Sequence, residues 1–133
     1  MAHRASLRAK SGAGSRTSLK AAPAAELDRF LKANPGIRHI DAFLPDMNGN
    51  PRGKRFPVHE AAKIWTGGVQ LPFCLYFLDA TGEDLDPGGR SELRGDPDGN
   101  AWPVKDTLTL VPWAPEPTAQ VLLTMPEQAN QPC

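Results

Sequence analysis

The chain has 133 residues, the length of one ordinary domain, and its 15 basic and 15 acidic side chains give a formal net charge of zero. That balance gives no global drive toward nucleic acid or an anionic membrane surface, and the sequence has no apolar run of the roughly 18 residues a membrane-spanning helix needs. Two cysteines, Cys74 in an apolar run and Cys133 at the end, exclude a disulfide scaffold and are too few for a thiolate metal site.

Charge is unevenly placed. Residues 1–25 carry Arg4, Arg8, Lys10, Arg16 and Lys20 with no acid, in a background of Ala, Ser and Gly. Residues 1–24 are therefore expected to be a flexible basic tail. A transit peptide has a similar composition but calls for an apolar face, which is not evident here. The five basic residues have no aromatics among them, so they make a poor nucleic-acid stripe. Neither nucleic acid nor a membrane is expected as a partner, and a cytoplasmic location is the expectation.

In chain order, Pro23 to Ala33 reads as a helix: Leu27, Phe30 and Leu31 fall at helical spacing and Asn34-Pro35 ends it. Ile37 to Leu44 and Arg52 to Phe56 read as two strands. Asn48-Gly49 between them suggests a type I′ hairpin turn. Pro57 opens a short helix over Val58 to Thr66, closed by Gly67-Gly68. Residues 71–78 are an apolar run suited to a buried strand. Residues 79–103 follow as a long polar loop, with Leu85, Leu93 and Trp102 its only large apolar residues. Without packing of its own, that loop is expected to move about a hinge at Asp79. Leu108 to Val111 and Ala119 to Thr124 complete the strands, and the octet after Met125 reads as a disordered tail over 126–133. The fold class is α+β, with a mixed sheet, one or two short helices and a long loop, all within 25–125.

Several motifs fail on chemistry. Gly49-Asn-Pro-Arg-Gly53-Lys54-Arg55 is one residue short of a phosphate loop and has Arg55 where a magnesium-binding hydroxyl belongs. Asp46-x-Asn48-x-Asn50 and Asp96-Pro-Asp98-Gly-Asn100 resemble openings of calcium loops, but Pro51 and Ala101 replace the required glycine. Both are better read as turns in which Asp and Asn bond their own backbone. His3, His39 and His59 share no ligand spacing, so no metal site is expected. Asp79 stands where an apolar run meets the polar loop. On its own it reads as a loop-capping aspartate.

Taken together, Ile40-Asp41-Ala42-Phe43-Leu44-Pro45-Asp46-Met47-Asn48-Gly49, Gly-Val-Gln-Leu-Pro at 68–72, Leu78-Asp79 and the stretch from Asp106 to Met125 resemble the N-terminal β-grasp domain of the glutamine synthetase family. The nearest branch is that of the γ-glutamylpolyamine (glutamate–putrescine) ligases, whose Asp-x-x-Gly style matches Asp79-Ala80-Thr81-Gly82. The resemblance implies that Asp79 reaches across a subunit boundary to bind an ammonium or amine substrate and accept its proton. It makes Thr81, Gly82, Glu83 and Asp84 candidate substrate contacts, although Glu83, Asp84 and Asp86 equally suit a solvated acidic loop. It also implies ATP and Mg or Mn for the full-length enzyme, supplied by a large C-terminal domain in an oligomeric ring. The chain alone is expected to bind none of these and to be inactive. The alternative is a non-enzymatic β-grasp interaction module using its edge strands, Trp102 and Trp113.

Overall fold

The structure, a computed structural model, describes residues 18–83 and 98–125, with side chains from residue 24 onward. The expectations for the tails at 1–17 and 126–133, and for Asp84, Asp86 and the loop as far as residue 97, lie outside the described residues.

Helix α1 runs Ser18–Ala33, starting ahead of the expected Pro23. Its end matches expectation: Asn34 donates its backbone N–H and its side-chain amide to the Phe30 carbonyl, each at 2.9 Å. Strands β1 (His39–Pro45) and β2 (Pro51–Pro57) form an antiparallel hairpin in which Leu44 faces Arg52 and Asp41 faces Arg55. A 3-10 turn, Val58–Glu60, precedes α2 (Ala62–Gly67), which ends at Gly68 with φ of +74°. Strands β3 (Val69–Pro72), β4 (Asp98–Pro103), β5 (Thr109–Leu110) and β6 (Thr118–Thr124) follow.

The sheet order is β2-β1-β6-β4-β3, with β5 on the side of β6. Strands β1 and β6 run parallel, Ile40 beside Ala119 and Phe43 beside Leu122, while the other pairs are antiparallel. This is a mixed α+β sheet, as expected. Period-two alternation sends Ile40, Ala42 and Leu44 of β1 and Ala119, Val121 and Leu123 of β6 into the core. There they join Leu27 of α1 and Ile64 and Trp65 of α2 in one buried cluster.

Two expectations are corrected. The 71–78 run is not a strand: β3 stops at Pro72 and Phe73–Phe77 is a 3-10 helix. Pro72 lacks a donor for the ladder. Beyond it, Phe73 makes edge-on contacts with Tyr76 at 5.8 Å and Phe77 at 5.3 Å. Neighbours three and four residues apart meet on a helical turn, whereas a strand sends residues 73 and 76 to opposite faces. The expected loop over 79–103 also ends early, because Asp98–Pro103 is strand β4 between β3 and β6. Asp, Gly, Asn and Pro are poor strand formers. Packing outweighs them here: Ala101 is fully buried, and a side chain at Gly99 would stand 2.9 Å from the Met125 sulfur.

Candidate functional site

The hairpin between β1 and β2 closes on Asp46. Its N–H donates to the Asn50 carbonyl at 2.9 Å, and its carbonyl accepts the Gly49 N–H at 3.0 Å. Its Oδ1 accepts the N–H groups of Asn48 and Asn50, both at 2.9 Å. This is the turn chemistry expected of Asp46-x-Asn48-x-Asn50. The turn type differs from expectation: Gly49 has φ of +80°, but no positive φ occurs at Asn48. A type I′ turn needs positive φ at both central residues, so the loop is Met47 to Gly49 with glycine alone in the left-handed region.

The second oxygen of Asp46 accepts a bond from Arg52 Nε at 3.0 Å, with the Asp46 side chain fully buried. Burial works to raise the carboxyl pKa. The Asn50 N–H, the Arg52 guanidinium and the Asn48 N–H outweigh it and hold the group below its ordinary value. Asp46 is thus a fixed anion at the base of the hairpin.

From this base the hairpin grips the segment leading to Asp79. Met47 N–H donates to the Tyr76 carbonyl at 3.2 Å, Asn48 Nδ2 to the Leu78 carbonyl at 3.1 Å, and Arg52 Nη2 to the Asp79 carbonyl at 3.2 Å. Beyond the grip the chain turns on Asp79. Its Oδ1 accepts the Thr81 hydroxyl at 2.7 Å, the Thr81 N–H at 2.8 Å and the Glu83 N–H at 2.9 Å. The backbone closes the turn, with Asp79 N–H donating to Glu83 O at 2.8 Å and Gly82 N–H to Asp79 O at 3.1 Å. Gly82 has φ of +90°, the left-handed region that glycine enters without strain.

Asp79, Thr81, Gly82 and Glu83 therefore share one turn, with Asp79 as its cap. The Thr81 hydroxyl foremost, then the Glu83 N–H and the backbone of Thr81 and Gly82, hold the Asp79 carboxyl below its ordinary range, against a smaller opposing effect of partial burial. Asp79 is an anion at neutral pH, and the three bonds from Thr81 and Glu83 all fall on its Oδ1. Chemically, the turn offers a rigidly held negative charge beside exposed Thr81, Gly82 and Glu83. Sequence reasoning found the turn but missed Asn48 and Arg52, which reach partners 30 and 27 residues away. The Asp46-x-Asn48-x-Asn50 spacing marked a local turn and nothing in it signalled that reach.

A second feature lies on the outer face of the sheet. A shallow groove of about 370 Å³ is lined by residues including Phe43, Lys54, Arg55, Val111, Trp113 and Gln120. Trp113 beside it is 77% exposed, whereas Trp102 is half-buried. Among the described residues no group of His, Cys, Asp and Glu is placed to hold a metal ion, and no helix is long and apolar enough to cross a membrane.

No family model matches the chain. It is 34% identical over 107 residues to gamma-glutamylputrescine synthetase PuuA of Escherichia coli (strain K12), an alignment covering 80% of this chain. The chain is a homologue of part of a gamma-glutamylputrescine synthetase. This agrees with the glutamine synthetase-family resemblance read from the sequence. Among solved structures, a GmaS/ADP complex in its first conformation matches with a TM-score of 0.51 at 22% identity, covering 73% of this chain, a likeness of fold. Ligand-free GmaS matches with a TM-score of 0.49 at 20% identity over 70% of the chain. The chain spans only about a fifth of these proteins, 22% of the synthetase and 19% of GmaS.

Proposed function

We propose that residues 25–125 are the N-terminal, β-grasp-type domain of a glutamine synthetase-like ligase that joins the γ-carboxylate of glutamate to an amine at the expense of ATP. The observation that carries this reading is the 34% identity to gamma-glutamylputrescine synthetase over 80% of the chain. In it the Asp79 turn forms one edge of an active site completed by a larger partner domain or a neighbouring subunit.

The chemistry of this chain in that reaction concerns the amine. A protonated amine has no lone pair and cannot attack an activated carboxyl group. A carboxylate held as an anion gathers the cation and offers an acceptor for the proton that leaves as the nucleophile forms. Asp79 has that charge and rigidity, with Thr81, Gly82 and Glu83 beside it and Asp84 next in sequence. ATP, when bound, activates the glutamate carboxylate. In this reading the ligands of its metal ions come from the larger partner domain. The outer-face groove with Trp113 suits docking to that domain.

The test joins this chain to the portion of the Escherichia coli synthetase it does not cover. Amide formation is then assayed with glutamate, ATP and either putrescine or ammonia. Activity is expected, and Asp79→Ala, which removes the charge that gathers the amine, lowers it at subsaturating putrescine by about 10- to 100-fold. An active chimera indifferent to Asp79→Ala refutes the site. The alternative, a non-enzymatic module docking through the Trp113 face, predicts a stable complex with a partner and an inactive chimera.

A further inference from the structure

The side chain that fixes where the Asp79 turn sits is not on the turn. Arg52 stands on β2, opposite Leu44 of β1, in a part of the hairpin whose register is set by the ladder. Its guanidinium is tied at one edge through Nε to Asp46 Oδ2 at 3.0 Å. Asp46 cannot follow a moving partner: its side chain is fully buried, and its other oxygen is held by two backbone N–H groups of the hairpin turn. The free end of the fork reaches across 27 residues, Nη2 donating to the Asp79 carbonyl at 3.2 Å. That same carbonyl accepts the Gly82 N–H, and the third guanidinium nitrogen lies 3.9 Å from where a Gly82 side chain would begin. One planar group therefore bonds the start of the 79–82 turn and passes close to Gly82 near its end.

We propose that Arg52, clamped by Asp46, is the positioning residue that orients the Asp79 turn for the amine substrate. The inference rests on the amine-site reading given above. A guanidinium suits the task because it donates in two fixed directions from one rigid plane, whereas a lysine ammonium is a single point donor on a mobile stem. The turn needs such support: Thr81, Gly82 and Glu83 are exposed, and their own hydrogen bonds fix the shape of the turn but not its place relative to the sheet. Asn48 to Leu78 O and Met47 N–H to Tyr76 O hold the approach to the turn, and Arg52 alone among these three reaches Asp79 itself.

The first measurement uses the 133-residue chain and amide hydrogen exchange at Thr81 and Glu83, with Val121 in the core as reference. Arg52→Met keeps the aliphatic stem and removes the fork. It is expected to speed exchange at Thr81 and Glu83 by about tenfold, the worth of roughly one hydrogen bond to a charged group, with Val121 unchanged. Arg52→Lys is expected not to rescue it. Should Arg52→Met unfold the chain by leaving Asp46 buried and unpaired, the double variant Asp46→Asn/Arg52→Met removes that charge and the same amides are read. Unchanged turn amides in a folded variant overturn the inference.

The second measurement uses the chimeric ligase and compares KM for putrescine with KM for glutamate. Arg52→Met is expected to raise the first and leave the second, a split that general loss of stability does not produce. Asp79→Asn, measured alongside, reports on the amine-site reading itself. If Asp79→Asn weakens amine use and Arg52→Met does not, the positioning role is wrong and the site stands. If Asp79→Asn is silent, the site is wrong and the amine role of Arg52 falls with it, whatever the turn amides show.

Discussion

Gly53 provides the sharpest test of how closely the hairpin is built. It faces Phe43 across the β1–β2 ladder. A Cβ placed there would meet the Ala42 carbonyl oxygen, stand 2.6 Å from Phe43 Cα and lie 2.8 Å from the Ala42 carbonyl carbon. Carbon–carbon contacts are comfortable at about 3.5–4.0 Å, so Gly53→Ala overlaps backbone by close to an ångström at each. No rotamer change relieves a clash with main chain, and the two strands must part. Overpacking of this kind costs about 1–3 kcal/mol, with this geometry toward the top. The stiffer unfolded chain returns about 0.4–1 kcal/mol. A net loss of about 2 kcal/mol corresponds to a fall in Tm of about 8–16 °C for roughly 100 ordered residues. Urea or thermal unfolding of the full chain is the assay. Gly36→Ala is the control, since nothing lies within 4 Å of its added carbon and its φ is not positive. The control should leave stability unchanged or raise it slightly. If Gly53→Ala unfolds within about 0.5 kcal/mol of the parent, the size of an ordinary surface change, the close approach of β1 and β2 is wrong. The hairpin grip on residues 76–79 would then be in doubt as well.

Three further outcomes follow from particular contacts. Leu44→Ala removes a side chain with no exposed surface and should cost about 2–5 kcal/mol in denaturant unfolding. The Asp79 and Asp46 carboxyls both lie below their ordinary value of 3.8, so their stabilising bonds are fully present above that value and are lost as pH falls through the lower folded values. Amide exchange at Thr81, Glu83, Asn48 and Asn50 should accordingly be flat through neutral pH and speed up, relative to the intrinsic rate, only in the acid range below it. Trp113→Phe should blue-shift the fluorescence, because it removes a 77% exposed indole and leaves Trp65 at 2% and the half-buried Trp102, while stability stays within about 0.5 kcal/mol.

The parts of this fold that could be read from sequence are those whose own residues carry the reason. Leu27, Phe30 and Leu31 repeat at helical spacing, and the alternating Ile40, Ala42 and Leu44 announce a half-buried strand. Strand β4 could not be read, because Asp-Gly-Asn-Ala-Trp-Pro is held as a strand by its neighbours, with Leu71 facing Gly99 and Trp102 facing Thr124. The run 73–77 misled for the opposite reason. Phe, Leu and Tyr suit a strand locally, while Pro72 and the contacts among Phe73, Tyr76 and Phe77 favour a helical turn. At the site, the capping chemistry of Asp79 was legible in Asp-x-Thr-Gly. The Arg52 link was not, since a bond spanning 27 residues leaves no local pattern.

The state of Asp79 decides how it would serve an amine ligase. A general base works best when its pKa lies near the working pH, yet three donors on Oδ1 hold this carboxyl below the ordinary range. Such a group gathers a cation well and keeps a proton poorly, so we propose that its main service is as an electrostatic anchor. Asp79→Asn separates the two roles cleanly. The amide retains an oxygen for the Thr81 and Glu83 donors, preserving the turn, and loses the charge. In the chimeric ligase an anchor predicts that KM for putrescine rises about 10- to 100-fold, the scale of a lost charged hydrogen bond, with a smaller change in kcat. It also predicts that the acid limb of kcat/KM above pH 5 is untouched by the substitution, because Asp79 stays ionised throughout that range. A kcat lowered by a hundredfold or more at unchanged KM would instead make Asp79 the proton acceptor. The low pKa would then be a property of the chain alone, relieved when the rest of the enzyme closes over the turn.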